Sequence, residues 1–141
     1  MKAYLAIKFY GDFGNRQLIE DISNALEKVG IDTVVMVRDV ERWGEVKFTP
    51  RELMRKSFSE IDASDLLIVE CSEKGVGLGI EAGYAHAKNI PIFVIAKTGS
   101  EISETIEGIV KSVFFYDDPS EIAENSEFIT LAQDRDAPRG N

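Results

Sequence analysis

Apolar residues recur along the chain at two alternating spacings, one typical of β-strands and one typical of α-helices. Short apolar runs predict five strands, at residues 3–9, 31–37, 66–69, 91–96 and 113–116. Helical spacing follows each strand, at residues 15–29, 49–64, 80–88, 102–111 and 118–132. Residues 38–48 show no regular spacing and are expected to form a long loop. This alternation predicts an α/β fold with a doubly wound, five-stranded parallel sheet.

Two helix ends have strong sequence signals. Thr49, Pro50 and Glu52 are an N-cap, a first-turn proline and the third-position acid of a capping box. Gly30 follows the first helix, where a left-handed C′ residue is expected.

The length of the chain and the lack of an interdomain linker predict one domain over residues 1–133. The polar tail at residues 134–141 is expected to be disordered.

Right-handed crossovers that cover both faces of the sheet favour the flavodoxin-like strand order 2-1-3-4-5. In this order the topological switch point lies between the first and third strands. Ligands of such sheets bind at the switch point, at the carboxyl ends of the strands. The loops at this edge are residues 10–15 and 70–79. Both are candidates for ligand binding.

Composition narrows the class of ligand. The 141 residues include 16 Lys and Arg against 25 Asp and Glu, a net charge of −9, which argues against a nucleic acid polymer as partner.

No apolar run is long enough to span a membrane, and the N-terminus lacks a signal-peptide pattern, so a cytoplasmic location is expected. The single cysteine, Cys71, and the single histidine, His86, leave no conventional zinc site. No metal or cofactor is expected.

Both candidate loops are rich in glycine. Gly75, Gly77 and Gly79 precede one predicted helix, and Gly11 and Gly14 precede another. Glycines in such loops let backbone amides approach an anion or a sugar closely. The alternative is that they only form tight turns.

Two common nucleotide-binding motifs fit poorly. Residues 77–82 formally match G-x-G-x-x-A, but they follow the third strand, and Lys97 lies where a ribose-binding acid would be expected. A G-x-x-x-x-G-K-[ST] motif is absent from the sequence. A dinucleotide or P-loop nucleotide is therefore not the expected ligand.

Two acids are candidates for catalysis. Glu81 is expected in the first turn of the helix after the glycines, where the helix dipole would keep its carboxylate ionised. A desolvated, ionised carboxylate is suited to nucleophilic attack on a sugar. Glu70 follows the third strand and is expected to face the same crevice as a helper. Structural ion pairs can produce the same pattern.

Residues 65–70 (DLLIVE) and 75–85 (GVGLGIEAGYA) resemble the nucleoside 2-deoxyribosyltransferase superfamily, which includes the 2'-deoxynucleoside 5'-phosphate N-hydrolases. The resemblance implies that Glu81 is a nucleophile that forms a glycosyl-enzyme intermediate, with Gly77 and Gly79 lining the sugar or phosphate. It also implies a role for Ser103, which falls near the sequence position of a serine that, in the monophosphate hydrolases, reaches the phosphate of a neighbouring subunit's ligand. A homodimer or higher homo-oligomer is implied as well.

The chain departs from the superfamily pattern at three positions. Ser57 stands where relatives have an aspartate, and Gly75 where they have a serine or aspartate. Lys8 occupies the place of a tyrosine, and Tyr10, two residues further on, is expected to point into the site instead. Lys8, Arg38 and Arg42 are candidate phosphate-binding cations or surface charges.

Two functions follow from this sequence. The first is an enzyme that cleaves or transfers the N-glycosidic bond of a nucleoside or nucleoside 5'-monophosphate. The second is a non-catalytic nucleotide-binding or sensing module on the same fold. Sequence alone fixes neither the base and the sugar nor the choice between hydrolase and transferase.

Overall fold

The structure is a computed structural model that describes residues 1–12 and 14–136. Five parallel strands form one sheet in the order β2-β1-β3-β4-β5, as predicted. The strands are β1 (Lys2–Ile7), β2 (Asp32–Val34), β3 (Leu66–Glu70), β4 (Ile92–Lys97) and β5 (Ser112–Tyr116).

Helices cover both faces of the sheet. The α-helices are α1 (Arg16–Lys28), α2 (Pro50–Asp62), α3 (Val76–Ala87), α4 (Glu104–Glu107) and α5 (Ser126–Asp136). On one face α1 and α5 pack against side chains such as Leu66 and Ile68. On the other face α2, α3 and α4 pack against Leu67 and Val69. β3 is buried along its whole length, as expected of a central parallel strand. Within the described residues, no helix is long and apolar enough to cross a membrane.

Both predicted helix ends are confirmed. The Thr49 hydroxyl accepts a hydrogen bond from the Glu52 amide at 3.2 Å, and the Glu52 carboxylate accepts one from the Thr49 amide at 3.4 Å. Gly30 has a φ of +91°, the left-handed conformation that ends α1.

The start of α3 was predicted wrongly. The helix begins at Val76 rather than near residue 80, so Gly77 and Gly79 lie inside it and Glu81 lies in its second turn. Glycine's low helix propensity hides this start in the sequence. Burial of Leu78 and Ala82 against the sheet stabilises the extra turn, because packing outweighs propensity.

Other boundaries also differ from the prediction. The expected loop after β2 begins with a π-helical turn, Met36–Val40. The helix expected at residues 102–111 is reduced to the four residues of α4. The last helix is divided into a 3₁₀ helix (Pro119–Glu124) and α5, because Asn125 is extended and its side chain accepts a hydrogen bond from the Phe128 amide at 3.0 Å.

The predicted tail begins later than expected. α5 continues to Asp136, so residues 134–136 are helical. The rest of the tail, residues 137–141, lies outside the described residues.

Candidate active site

A cavity of about 210 Å³ lies over β1, between α2 and α3. Backbone and apolar side chains of β1 form its floor, Met54 of α2 forms one wall, and α3 forms another. Its ionisable and polar lining consists of Tyr4, Glu41, Ser57 and Glu81. This is the cavity in which we place the candidate active site.

Glu81 reaches this cavity from the second turn of α3. Its Oε2 atom is buried and has no hydrogen-bond partner among the described residues. Burial raises the pKa of the carboxyl from 4.5 to about 7, and a hydrogen bond from Tyr4 lowers it only in part. The expectation that the helix dipole holds Glu81 ionised is wrong, because the dipole acts within the first turn.

Tyr4 is the immediate neighbour of Glu81. Its side chain is 2% exposed, and its hydroxyl makes side-chain hydrogen bonds with Glu81 and Ser57. Burial and the nearby Glu81 carboxyl raise the pKa of the phenol, so it stays a neutral donor. Ser57 is buried on α2 and brings a hydroxyl to the place where the superfamily has an aspartate.

Two residues that line the Glu81 cavity, Tyr4 and Glu41, were not predicted from the sequence. The two-residue alternation of β1 places Tyr4 and Ala6 on the face of α2 and α3, a signal that was available in the sequence. Glu41 lies just after the π-helical turn and lines the cavity, and burial raises the pKa of its carboxyl. No periodicity marks this loop, so the sequence gives no signal for Glu41.

Gly77 is the one predicted glycine that lines the Glu81 cavity within the described part of the chain. A Cβ atom at residue 77 would lie 3.9 Å from Glu81 Oε1. Gly75, with a φ of −157°, is extended, and Gly77 and Gly79 are helical, so tight turns do not explain these three glycines.

Gly75, Gly79 and Ser103 line a different cavity. It has a volume of about 450 Å³ and lies between the N-terminus of α3 and α4. Its lining is largely apolar and includes Val76 and Ile106. The predicted site residues therefore fall into two neighbouring cavities rather than one.

Glu70 does not join Glu81. Alternation along β3 places it on the face of Leu66 and Ile68, opposite the face that carries α3. Its carboxylate accepts hydrogen bonds from the Ser72 amide at 3.0 Å and from the Ser72 hydroxyl. Ser72 Oγ in turn accepts from the Lys97 amide at 2.8 Å, so Glu70 connects the loops after β3 and β4. Burial raises the pKa of Glu70.

The loop after β1 meets the loop after β3 at the sheet edge, as expected. Lys8 Nζ is 3.5 Å from Glu73, and a hydrogen bond to Glu73 raises the pKa of Tyr10 to about 12. Tyr10 therefore contacts the opposite loop and does not line the Glu81 cavity. Gly11 and Gly14 are exposed residues of the same loop.

Residues 1–12 and 14–136 contain no group of three His, Cys, Asp or Glu side chains placed to hold a metal ion.

Three known proteins are similar to this chain. A curated protein of Thermofilum pendens, named as a 2'-deoxynucleoside 5'-phosphate N-hydrolase, is 28% identical over 118 residues, which are 80% of this chain and 78% of that protein. A 2-deoxyribosyltransferase of Bacillus psychrosaccharolyticus has the same fold, with a TM-score of 0.70 at 17% identity over 93% of this chain and 96% of that one. A Clostridium botulinum CMP N-glycosidase matches with a TM-score of 0.61 at 19% identity over 88% of this chain and 96% of that one.

No protein-family model matches the chain. The similar proteins are nonetheless a transferase, an N-hydrolase and an N-glycosidase, all enzymes. The predicted resemblance is therefore confirmed: in sequence and in fold, this chain is similar to the nucleoside 2-deoxyribosyltransferase superfamily.

Proposed function

We propose that this protein cleaves or transfers the N-glycosidic bond of a nucleoside or nucleoside 5'-monophosphate, with Glu81 as the nucleophile. The observation that carries the proposal is the Glu81 carboxyl, which reaches the cavity between α2 and α3 with one buried oxygen that has no hydrogen-bond partner among the described residues. A buried carboxylate oxygen without a hydrogen bond is destabilised, and this favours its reaction with an electrophilic carbon.

The chemistry follows from this placement. The ionised Glu81 attacks C1′ of the sugar while the bond from C1′ to the base nitrogen breaks through an oxocarbenium-like transition state. The electron pair of that bond leaves with the base, which takes a proton from solvent water; the water or base that later attacks C1′ gives a proton back to solvent, so the cycle balances. Water or a second base then attacks C1′ and releases Glu81, giving hydrolysis or transfer. A pKa of about 7 leaves a large ionised fraction of Glu81 at neutral pH.

Tyr4 supports the nucleophile in this proposal. Its neutral hydroxyl donates to Glu81 and fixes the direction in which the carboxylate points. Tyr4 itself is held by Ser57 on α2. Positioning of this kind contributes to rate because the reacting atoms must be aligned closely.

The similar proteins support the class of reaction. One is a 2-deoxyribosyltransferase, one is named as an N-hydrolase of a deoxynucleoside phosphate, and one is a CMP N-glycosidase. Transfer and hydrolysis share the first step proposed for Glu81, and they differ in what attacks C1′ afterwards.

A panel of nucleosides and 5'-monophosphates tests the proposal, with released base measured by chromatography. We expect the wild-type protein to release base from at least one compound and Glu81→Gln to lose activity by roughly three orders of magnitude. Glu70→Gln is the matched control, because it removes a buried carboxylate from the opposite face. Equal loss in both variants, or full activity in Glu81→Gln, would contradict the proposed role of Glu81.

The alternative, a non-catalytic nucleotide-binding module, has one observation in its favour. Ser57 brings a hydroxyl, not a carboxylate, to the cavity wall where the superfamily has an aspartate. Tight binding of a nucleotide with no base released from any compound would support this alternative.

A further inference from the structure

The proposed reaction has a second step in which Glu81 cannot accept a proton. After the first base has left, water or a second base attacks C1′ and loses a proton as it bonds there. Glu81 is the leaving group of this step, so its carboxylate is still bonded to the sugar when the proton has to be removed. A positioned carboxylate that accepts the proton typically speeds such a step by about 10²–10⁴-fold.

Glu41 is the second carboxyl of the Glu81 cavity. The floor of the cavity is β1, which lies between β2 and β3 in the sheet. Glu41 follows the π-helical turn after β2, whereas Glu81 belongs to α3, which follows β3. The two carboxyls therefore enter the cavity from the two strands on either side of β1. Double displacement at C1′ needs such an arrangement, because the nucleophile bonds to one face of the sugar and the acceptor attacks the other face.

The other polar side chains of the cavity are poor proton acceptors. Tyr4 is a neutral donor to Glu81, and Ser57 bonds to Tyr4 through a hydroxyl. No histidine, lysine or arginine is found among the described residues that line the cavity. Of the lining residues that the structure describes, Glu41 is thus the one that can accept a proton while Glu81 carries the sugar.

The Glu41 carboxyl is not used to hold the fold together. Among the described residues it has no ion-pair or side-chain hydrogen-bond partner, and burial alone raises its pKa. The two nearest cations in the sequence are engaged elsewhere: Arg38 pairs with Asp39 at 3.0 Å and with Glu20 at 3.5 Å, and Arg42 lines a separate cavity. A raised pKa makes the ionised Glu41 a stronger base than an exposed glutamate.

The backbone around Glu41 fixes the place from which its side chain enters the cavity. The Glu41 carbonyl accepts hydrogen bonds from the Gly44 and Val46 amides, each at 3.0 Å. Arg42 and Trp43, the next two residues, are left-handed, with φ values of +47° and +55°. Such strained conformations persist where the surrounding structure holds them, and they cluster at active sites.

We propose that Glu41 is a catalytic residue, the general base that accepts a proton from the group that attacks C1′ in the second step. This inference rests on the proposed function, in which Glu81 carries the sugar. With water as acceptor, an O–H bond breaks and its proton bonds to the Glu41 carboxylate, while the water oxygen bonds to C1′. The bond from C1′ to Glu81 breaks, and its electron pair returns to Glu81 as a carboxylate. Glu41 then gives the proton to solvent, which restores both carboxylates. An N–H group of a second base loses its proton to Glu41 in the same way.

The decay of the sugar adduct on Glu81 tests this role. Base release and the adduct are followed against time after mixing the full-length protein with the best substrate of the panel and quenching in acid. The proteins are the wild type, Glu41→Gln and Glu45→Gln. Glu45 is the matched control, because it lies in the same loop, is exposed and does not line the cavity. We expect Glu41→Gln to release its first base at close to the wild-type rate and to lose the adduct at least about a hundredfold more slowly. Glu45→Gln should match the wild type in both rates.

Added azide distinguishes a lost general base from a distorted cavity. Azide attacks C1′ without losing a proton, so it should speed the decay of the adduct in Glu41→Gln and give a sugar azide as product. A variant with a distorted cavity would not respond in this way.

Three outcomes would overturn the inference and leave nucleophilic attack by Glu81 standing. They are adduct decay as fast in Glu41→Gln as in Glu45→Gln, first base release slowed as much as adduct decay, and no effect of azide on Glu41→Gln. If no compound releases base, or base is released without an adduct in any of the three proteins, the proposed function itself is contradicted and the inference fails with it.

Discussion

Glu81 occupies a position that stabilises its protonated form. It lies beyond the first turn of α3, so it gains little from the helix dipole, and burial raises its pKa to about 7. An unpartnered carboxylate in this cavity reduces the stability of the fold. Such a residue is retained where function requires it, since stability and activity often conflict at active sites.

This leads to a prediction about stability and pH. Between the ordinary pKa of 4.5 and the folded value of about 7, the folded state holds a proton on Glu81 that the unfolded state has lost. The free energy of unfolding should therefore fall as pH rises through this window, by on the order of 2 kcal/mol from Glu81 alone. Glu81→Gln should lack this decline and be more stable than the wild type at pH 8.

Urea denaturation of both proteins at pH 5, 6, 7 and 8 measures the difference. Subtracting the two stability profiles cancels the other titrating groups. Parallel profiles across this range would show that Glu81 does not titrate in the window.

Glu81 could be selected from the sequence because its neighbours carry a specific pattern of glycines and apolar residues. Its electrostatic state could not, since the state depends on where α3 begins and on how deeply the side chain is buried. Tyr4 could also be placed from the sequence, because the two-residue alternation of β1 puts it on the face that packs against α2 and α3.

Helix α3 determines which residues reach the site. Its early start turns Gly77 from a loop residue into a first-turn residue that lines the Glu81 cavity. It also directs Gly75 and Gly79 toward α4 and Ser103. Glycines that are close in sequence thus line two different cavities. They are separated because α3 packs between α2 and α4.

Two glycines of α3 provide a matched test of this view. Alanine at residue 77 would place a Cβ atom 3.9 Å from Glu81 Oε1, whereas alanine at Gly83 would meet no atom within 4 Å. Both changes should raise the free energy of unfolding by up to about 1 kcal/mol, because glycine destabilises helices.

The two variants should differ in activity. Gly77→Ala fills space beside the nucleophile, so its kcat/KM should fall about tenfold or more, while Gly83→Ala should keep wild-type activity. Steady-state assays with the best substrate from the panel, alongside thermal unfolding, measure both effects. Equal activity in the two variants would mean that residue 77 does not face the substrate.

The architecture of the whole molecule was predictable from alternating patterns alone. Apolar runs of strand length, helical spacing between them and right-handed crossovers leave few topologies, and the order β2-β1-β3-β4-β5 is one of them. The irregular parts were not predictable. The π-helical turn and the shortened α4 depend on tertiary contacts, and they determine where Glu41 and Ser103 lie.

Self-association of the protein remains a prediction. Val76 and Ile80 are one turn apart on α3 and are 83% and 47% exposed, which is unusual for apolar side chains next to an apolar cavity. Light scattering at micromolar concentration should give a mass that is a multiple of 15.7 kDa. Val76→Asp should lower that mass, while Ala87→Asp, an exposed change at the other end of α3, should not.

A mass of 15.7 kDa for the wild-type protein would contradict self-association. If Val76→Asp keeps the mass of the wild-type assembly, the contact between subunits lies on another surface.

The most direct test of the central claim is to trap the sugar on Glu81. Trypsin cuts after Lys74 and Lys88, and the resulting peptide, residues 75–88, contains Glu81 as its single acidic side chain. The protein is mixed with the best substrate, quenched in acid within a single turnover, digested and examined by mass spectrometry. We expect this peptide to gain the mass of one sugar residue in the wild type and not in Glu81→Gln. Release of base with no adduct on this peptide, or an adduct on another peptide, would contradict nucleophilic attack by Glu81.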